Sequence, residues 1–134
     1  IKRSLDMGYK VAIITGGKRE GVVKRLQGLG VVDIYHGISD KVEAYREFMY
    51  LYDDEITGEN VLYMGDDVPD YNVMRLVGFP TCPRDACSEI LSISSYVSHA
   101  NGGGGAVRDV IERTLRLKGH WLPSDKDDDL PTSV

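Results

Sequence analysis

The sequence predicts an α/β protein with a parallel sheet. Short apolar runs alternate along the chain with longer amphipathic segments, which is the pattern of successive βα units. The length of 134 residues suits one domain, since domains usually have roughly 100 to 200 residues. With 42% hydrophobic residues but only two Phe and one Trp, the composition indicates a globular protein with a mainly aliphatic core.

The first βα unit begins near the N-terminus. Residues 1–7 have the pattern of a helix end, with Gly8 in the stop position. Residues 10–14 form a predicted buried strand, because the four residues after Lys10 are all apolar. Residues 18–29 follow with apolar side chains at helical spacing, and Gly30 ends this predicted helix.

Two further units occupy the middle of the chain. Residues 33–36 are a predicted short strand, and residues 40–52 form a helix with one apolar stripe. A third apolar strand covers residues 61–64. The helix predicted after it, at residues 70–77, stops at Gly78.

The last part of the chain repeats the pattern in shorter form. A strand is expected at residues 79–82, a helix at 85–93 and a strand at 96–98. Residues 106–118 form a strongly amphipathic helix. The acidic tail, residues 121–134, is expected to be disordered because it is polar and contains Pro.

Charge and hydropathy exclude several classes of partner. The net charge is −5, and no run of Lys or Arg is longer than a pair, so nucleic acids and anionic membranes are not expected partners. No apolar run approaches the ~20 residues that span a bilayer, and no signal peptide is visible, so we expect a cytoplasmic protein. Cys82 and Cys87 lack a second ligand pair and are expected to be reduced rather than to bind zinc.

An acidic loop follows the third predicted strand. Asp66, Asp67 and Asp70 place three carboxylates within five residues, and like charges that close need a cation or a proton. Mg²⁺ prefers such ligands, so we expect Asp66 to bind it directly and Asp67 and Asp70 to hold its waters or to orient neighbouring groups. The alternative for Asp67 and Asp70 is that they cap the following helix.

A phosphate site is the natural complement of such a metal site. Thr15, Gly16 and Gly17 follow the first strand and offer a hydroxyl and backbone N–H groups near a helix N-terminus, and Lys41 offers a compact positive charge. Ligands of open α/β sheets bind at the carboxyl ends of the strands, where Thr15 and Asp66 both lie. Taken alone, the glycine turn is common in proteins that bind nothing, and a single lysine is usually a surface group.

Four stretches in this order resemble a known family. The chain is similar to the haloacid dehalogenase superfamily from its second motif onward, and within it to the capless 3-deoxy-D-manno-octulosonate (KDO) 8-phosphate phosphatases. The similarity covers residues 1–120. The stretches are AIITG at 12–16, YHG at 35–37 with DK at 40–41, YMGDD at 63–67, and GGGGAVRD at 102–109.

The resemblance implies a Rossmann-like three-layer αβα fold and a Mg²⁺-dependent phosphatase. Its substrate would be a small phosphorylated sugar acid, KDO 8-phosphate above all, cleaved to KDO and phosphate through an aspartyl-phosphate. The family is typically a homotetramer whose subunits complete one another's sites. The implied roles are catalytic for Thr15, Lys41 and Asp70, substrate-binding for Gly16, Gly17 and Arg108, and metal-binding for Asp66 and Asp67. For Arg108, an ordinary surface position is the alternative.

The first motif of that family has no counterpart in this sequence. It is an Asp-x-Asp on the central strand. The letters at residues 125–127 match it, but they lie in the polar tail without a strand before them. The resemblance therefore implies a segment before Ile1 that carries the nucleophile. Without that strand, these residues are expected to form a sheet split between the Thr15 strand and the Asp66 strand.

Two other hypotheses about the function of this sequence remain open. The chain could be a non-catalytic, phosphatase-like assembly module associated with a sugar-nucleotide synthetase. It could also be a phosphate-accepting receiver domain, which uses an acidic pocket, a Thr and a Lys as well. The receiver fits less closely, because its acidic pair should come early and its Lys late, whereas Lys41 precedes Asp66 here.

Overall fold

The computed structural model describes residues 1–17 and 20–121, in which helices alternate with strands. The tail predicted at residues 121–134 lies, from residue 122 onward, outside the described residues. The helices are α1 (Lys2–Asp6), α2 (Glu20–Gly28), α3 (Lys41–Leu51), α4 (Tyr71–Met74), α5 (Ser88–Ile93) and α6 (Ala106–Leu117). The strands are β1 (Ala12–Ile14), β2 (Asp33–Tyr35), β3 (Leu62–Met64), β4 (Phe79–Cys82) and β5 (Tyr96–Val97).

The strands are divided between two parallel sheets. One sheet pairs β1 with β2, and the other has the order β3-β4-β5. The parallel pairing confirms the predicted α/β class. No pairing joins β1 to β3 in the described part of the chain, so the sheet is split at the place that the sequence predicts.

The core is mainly aliphatic and lies around the short helix α4. Val73 packs with Tyr45 of α3, whereas Met74 packs with Cys82 of β4 and Ile90 of α5. Both α4 residues are fully buried. Four helical residues therefore join α3 on one side to β4 and α5 on the other.

Helix α6 connects the far ends of the described chain. At its start, Asp109 accepts hydrogen bonds from Ser98 and from Tyr96 of β5. Just beyond its end, His120 Nδ1 lies 2.8 Å from the hydroxyl of Tyr9, and Arg3 donates to the His120 carbonyl. The helix thus ties the residues before β1 to the strand β5. At twelve residues it is the longest helix within 1–17 and 20–121, and none there reaches the length needed to cross a bilayer.

Two predicted helices are shorter than expected. The helix predicted at 70–77 follows a 3-10 turn, Val68–Asp70, and exists only as α4. It ends early because Leu76 N–H donates to the Val73 carbonyl and Gly78 N–H to the Gly58 carbonyl, instead of continuing the α-helical pattern. The helix predicted at 85–93 begins at Ser88. The N–H groups of Arg84 and Cys87 donate instead to the carbonyls of Ala100 and Asp66, so this segment forms a turn.

Candidate active site

Thr15 lies directly after β1, in a turn that is bonded to the turn after β2. Its N–H donates to the Tyr35 carbonyl at 2.8 Å, and its carbonyl accepts from Ile38 N–H at 3.1 Å. The N–H of Gly17 donates to Thr15 Oγ1 at 3.1 Å. Gly16 and Gly17 are exposed, so the turn presents the Thr15 hydroxyl and the backbone of both glycines to solvent.

Lys41 is the first residue of α3, and its backbone is held by the cap of that helix. The Asp40 carboxylate accepts from the N–H groups of Val42 and Glu43 at 3.1 and 3.2 Å, which satisfies two free donors of the first turn. The side chain of Lys41 is 18% exposed, and its Nζ donates to Asp70 Oδ1 at 2.9 Å. Lys41 is therefore aimed at the acidic loop (residues 65–70).

Asp70 is a buried carboxylate with four hydrogen-bond donors. Lys41 Nζ and the Tyr63 hydroxyl, at 2.9 and 2.7 Å, both donate to Oδ1. The N–H groups of Asp66 and Asp67 donate to Oδ2 at 3.0 and 3.3 Å. Burial by itself raises the pKa of the Asp70 carboxyl, but the hydrogen bonds from Lys41, Tyr63 and Asp66 outweigh it and hold that pKa below its usual range.

Asp66 and Asp67 differ in how their carboxylates are used. Asp67 caps the 3-10 turn and accepts from Val68 N–H at 2.8 Å. Asp66 is exposed, and within residues 1–17 and 20–121 no other residue donates a hydrogen bond to its carboxylate. Partial burial and the negative charge of Asp70 raise the pKa of Asp66, against the opposing effect of Lys41. Asp66 is thus the carboxylate of the acidic loop that is open to a ligand.

Arg108 and the glycine run (residues 102–105) lie at the start of α6. Gly105 takes the left-handed conformation at φ 98°, which favours glycine, and it begins the helix. Gly102 N–H donates to Asp85 Oδ1 at 2.8 Å. The Arg108 side chain is 77% exposed, lies 3.9 Å from Glu112, and stands over the Trp121 ring.

The predicted site residues fall into three groups by their contacts. Lys41, Asp66, Asp67 and Asp70 are joined directly through the Asp70 carboxylate. The turn of Thr15, Gly16 and Gly17 reaches the same region through the backbone bond to Ile38, three residues before Lys41. The polar contacts of Arg108 are within α6 and with Trp121, so none of its contacts here ties it to the acidic loop.

Comparison with known proteins identifies the family. No family model matches the chain. It is 39% identical over 119 residues to the KDO 8-phosphate phosphatase KdsC of Salmonella typhi, a match covering 89% of this chain and 62% of that protein. A probable YrbI family phosphatase from Pseudomonas syringae has a TM-score of 0.84 at 30% identity and matches over 95% of this chain and 70% of its own. The chain belongs to the KDO 8-phosphate phosphatase family.

Two further solved structures agree with this assignment. The KDO 8-phosphate phosphatase of Moraxella catarrhalis, solved with magnesium, phosphate and KDO, has a TM-score of 0.79 at 32% identity and matches over 86% of this chain and 65% of its own. A haloacid dehalogenase superfamily hydrolase from Legionella pneumophila has a TM-score of 0.80 at 30% identity, over 86% of this chain and 62% of its own. These matches confirm the predicted Rossmann-like fold. The chain spans only 62% of the length of its first curated relatives in this family.

The donor set of this family member suits Mg²⁺. No three His, Cys, Asp or Glu side chains among the described residues converge as a complete ligand set. Mg²⁺ does not need one, since it usually takes one or two protein carboxylates and fills its remaining positions with water and phosphate oxygens. The exposed carboxylate of Asp66 is a hard oxygen donor of the kind that such an ion binds.

Tyr63 is the residue of this site that sequence reasoning missed. It lies within β3, where the sequence predicts only an apolar strand. A buried tyrosine hydroxyl, however, usually needs a hydrogen-bond partner. Burial and the hydrogen bond to Asp70 raise the pKa of Tyr63 far above its usual value. A phenol inside an apolar strand, seven residues before an Asp, is the signal that could have identified it.

A cavity of about 270 Å³ lies beside Thr15, and no residue of the acidic loop lines it. It lies between α2 and the strands β1 and β2. Its walls are mainly aliphatic and carry none of the acidic-loop carboxylates: Ile13, Val22, Val23, Leu26 and Ile34, with Thr15 and Gly17 at one side. Its apolar lining makes it unsuitable for a phosphate or a metal ion.

Proposed function

We propose that this chain forms the part of a Mg²⁺-dependent KDO 8-phosphate phosphatase that holds the transferring phosphoryl group and the metal ion. The observation that carries the proposal is the Asp70 carboxylate, which holds Lys41 on one oxygen and the backbone of Asp66 and Asp67 on the other. One buried group thereby places an ammonium group and an open carboxylate together. A phosphate ester with a divalent cation needs both.

The substrate is proposed from the relatives. Those most similar in sequence are named KDO 8-phosphate phosphatases, and one solved relative holds magnesium, phosphate and KDO. KDO 8-phosphate is a small sugar acid with two anionic groups, a carboxylate and a phosphate. The exposed guanidinium of Arg108 would pair with its carboxylate, because the exposed contacts of Arg108 with Glu112 and the Trp121 ring cost little to give up.

In the proposed reaction, this chain binds and orients the phosphoryl group. Gly17 N–H occupies an acceptor position of Thr15 Oγ1, so the hydroxyl proton of Thr15 can be donated to a phosphoryl oxygen. The exposed N–H of Gly16 would contact the same group. Lys41, anchored by Asp70, would neutralise charge that develops as the ester bond breaks. Bound Mg²⁺, held by Asp66 with Asp67 nearby, would supply further positive charge to the phosphoryl oxygens.

The nucleophile of this proposal lies outside the described residues. A carboxylate must attack phosphorus, the sugar hydroxyl must leave with a proton, and water must then hydrolyse the aspartyl-phosphate. Strands β1 and β3 are not paired with each other, and they lead into the turn of Thr15 and the acidic loop. A strand paired there would end with its side chains between these two groups. A cytoplasmic location and a homotetrameric assembly belong to the same proposal.

Phosphate release tests this function. The full natural protein should hydrolyse KDO 8-phosphate with Mg²⁺ and lose that activity in EDTA. Lys41→Met should lower kcat/KM by about 100-fold or more, as the loss of an electrostatic contact to the transition state does. The matched control is Lys24→Met on the exposed surface of α2, which should keep full activity. A folded natural protein that releases no phosphate would refute the enzyme and favour the assembly module.

A further inference from the structure

We propose that Tyr63 is a positioning residue of this site, which acts on the reaction through Asp70. Its hydroxyl fixes the Asp70 carboxylate and so determines how Lys41 presents its ammonium group. The inference rests on the proposed function and adds a residue to it.

The contacts of Asp70 leave no acceptor site unused. An ionised carboxylate offers about four lone-pair sites, and Asp70 receives four donors. Tyr63 and Lys41 share Oδ1, at 2.7 and 2.9 Å. Without the phenol, Lys41 would be the remaining donor to that oxygen, and the carboxylate could turn toward it.

The position of Tyr63 makes it a rigid support. It lies at the centre of β3, and its side chain packs against both core clusters, the one around Met74 and the one around Val73. Its ring is thus held by the core while its hydroxyl reaches the site. A long lysine side chain has many rotamers, so a fixed acceptor is needed to hold it in one direction.

The phenol also limits how strongly Asp70 retains Lys41. A second donor on Oδ1 shares the negative charge of that oxygen, which leaves the ammonium group able to interact with a phosphoryl group at the same time. In Tyr63→Phe, Lys41 should be held more tightly by Asp70 and less well aimed. The interaction of Lys41 with the phosphoryl group should therefore be weakened mainly in the transition state, where the charge on that group is redistributed.

The test is Tyr63→Phe in the full natural protein, with Tyr45→Phe as the matched control. Both variants keep a ring that packs in the core, and Tyr45, in α3, makes no hydrogen bond to Asp70. For Tyr63→Phe we expect kcat to fall about tenfold, with KM changed less than about threefold, as for a lost hydrogen bond to a charged group. Tyr45→Phe should leave both constants unchanged. An unchanged kcat in Tyr63→Phe overturns the proposal.

A double mutant shows whether Tyr63 acts through Asp70. In the Asp70→Asn background, Tyr63→Phe should lower kcat little further, because the group it positions is already altered. A full tenfold loss in that background overturns the proposed route. The effect of Tyr63→Phe on kcat is measured in the unmutated protein and again in Asp70→Asn. A loss of stability caused by Tyr63→Phe would affect both measurements, so their comparison remains valid.

Amide exchange provides a readout that needs no activity. The N–H groups of Asp66 and Asp67 donate to Asp70 Oδ2, so a carboxylate that turns should release them, and their hydrogen exchange in Tyr63→Phe should be several times faster. If the unmutated protein releases no phosphate, the proposed function fails, and exchange alone decides about Tyr63. Faster exchange supports its link to Asp70, and unchanged exchange overturns it.

Discussion

Lys41 Nζ lies 2.9 Å from Asp70 Oδ1, and this contact joins the two sheets. Lys41 begins the helix that follows β2, whereas Asp70 ends the turn that follows β3. The side chains are 18% and 5% exposed, so the pair is largely shielded from water. A largely buried ion pair depends on both partners, because removing one leaves the other charge without compensation.

Breaking this pair should destabilise the protein. We expect Lys41→Met and Asp70→Asn each to lower the free energy of unfolding by about 2 to 4 kcal/mol, near the lower end for buried pairs because Lys41 keeps some exposure. The double mutant should lose clearly less than the sum. Urea unfolding measures all three. The exposed pair Lys10–Glu55 is the control, and Glu55→Gln should change stability by less than about 0.5 kcal/mol. If Glu55→Gln lowered the free energy of unfolding as much as Lys41→Met or Asp70→Asn, this prediction would be contradicted.

Acid should remove the contribution of Asp70 to stability. Its pKa is lower in the folded protein than the value of about 3.9 in an unfolded chain, so its contribution is complete above that value and is lost as the pH falls through the folded pKa. The stability difference between the unmutated protein and Asp70→Asn should therefore shrink below about pH 4. The measurement is urea unfolding from pH 7 to pH 3. A difference that stays constant over this range would show that the Asp70 pKa is not lowered.

Gly65 leaves space that Asp70 needs. A Cβ there would lie 2.5 Å from Asp70 Cβ and 2.8 Å from Met74 Sδ. We expect Gly65→Ala to displace Asp70 and to cost about 1 to 3 kcal/mol, as overpacking usually does. Gly21→Ala on α2 is the control, because its Cβ meets nothing within 4 Å and alanine favours a helix. Thermal unfolding of both variants provides the comparison, and equal melting temperatures would contradict the steric argument.

Asp66→Asn should abolish Mg²⁺-dependent turnover and leave the fold intact, because it removes charge at constant shape. No other described residue donates a hydrogen bond to this carboxylate, so its loss should change the melting temperature little. Calorimetry should show weaker Mg²⁺ binding than in the unmutated protein. Asp54→Asn, which removes the same charge from an exposed loop after α3, should keep both binding and turnover. Unchanged activity in Asp66→Asn would refute the metal assignment.

Much of the fold could be predicted from local patterns. The stretch at residues 10–14, apolar after Lys10, contains β1, and the run at 61–64 contains β3, because parallel strands are usually covered on both faces. In this structure neither strand is fully buried. Strand ends also follow from such runs, so Thr15 and Asp66 were expected at the edge where ligands bind. The early end of α4 could not be predicted, since it depends on a hydrogen bond from Gly78 N–H to the Gly58 carbonyl, twenty residues away.

The sequence by itself determined the parallel α/β class, the strand ends that carry Thr15 and Asp66, and the position of Lys41 at the start of a helix. These features depend on hydrophobic periodicity and capping, which act over a few residues. Only the tertiary structure decided that Asp70 would hold Lys41 and Tyr63 on one oxygen, while Asp66 stayed open. Lys41 and Asp70 are 29 residues apart. Their pairing arises because packing around α4 brings the ends of two separate sheets together, which no local pattern encodes.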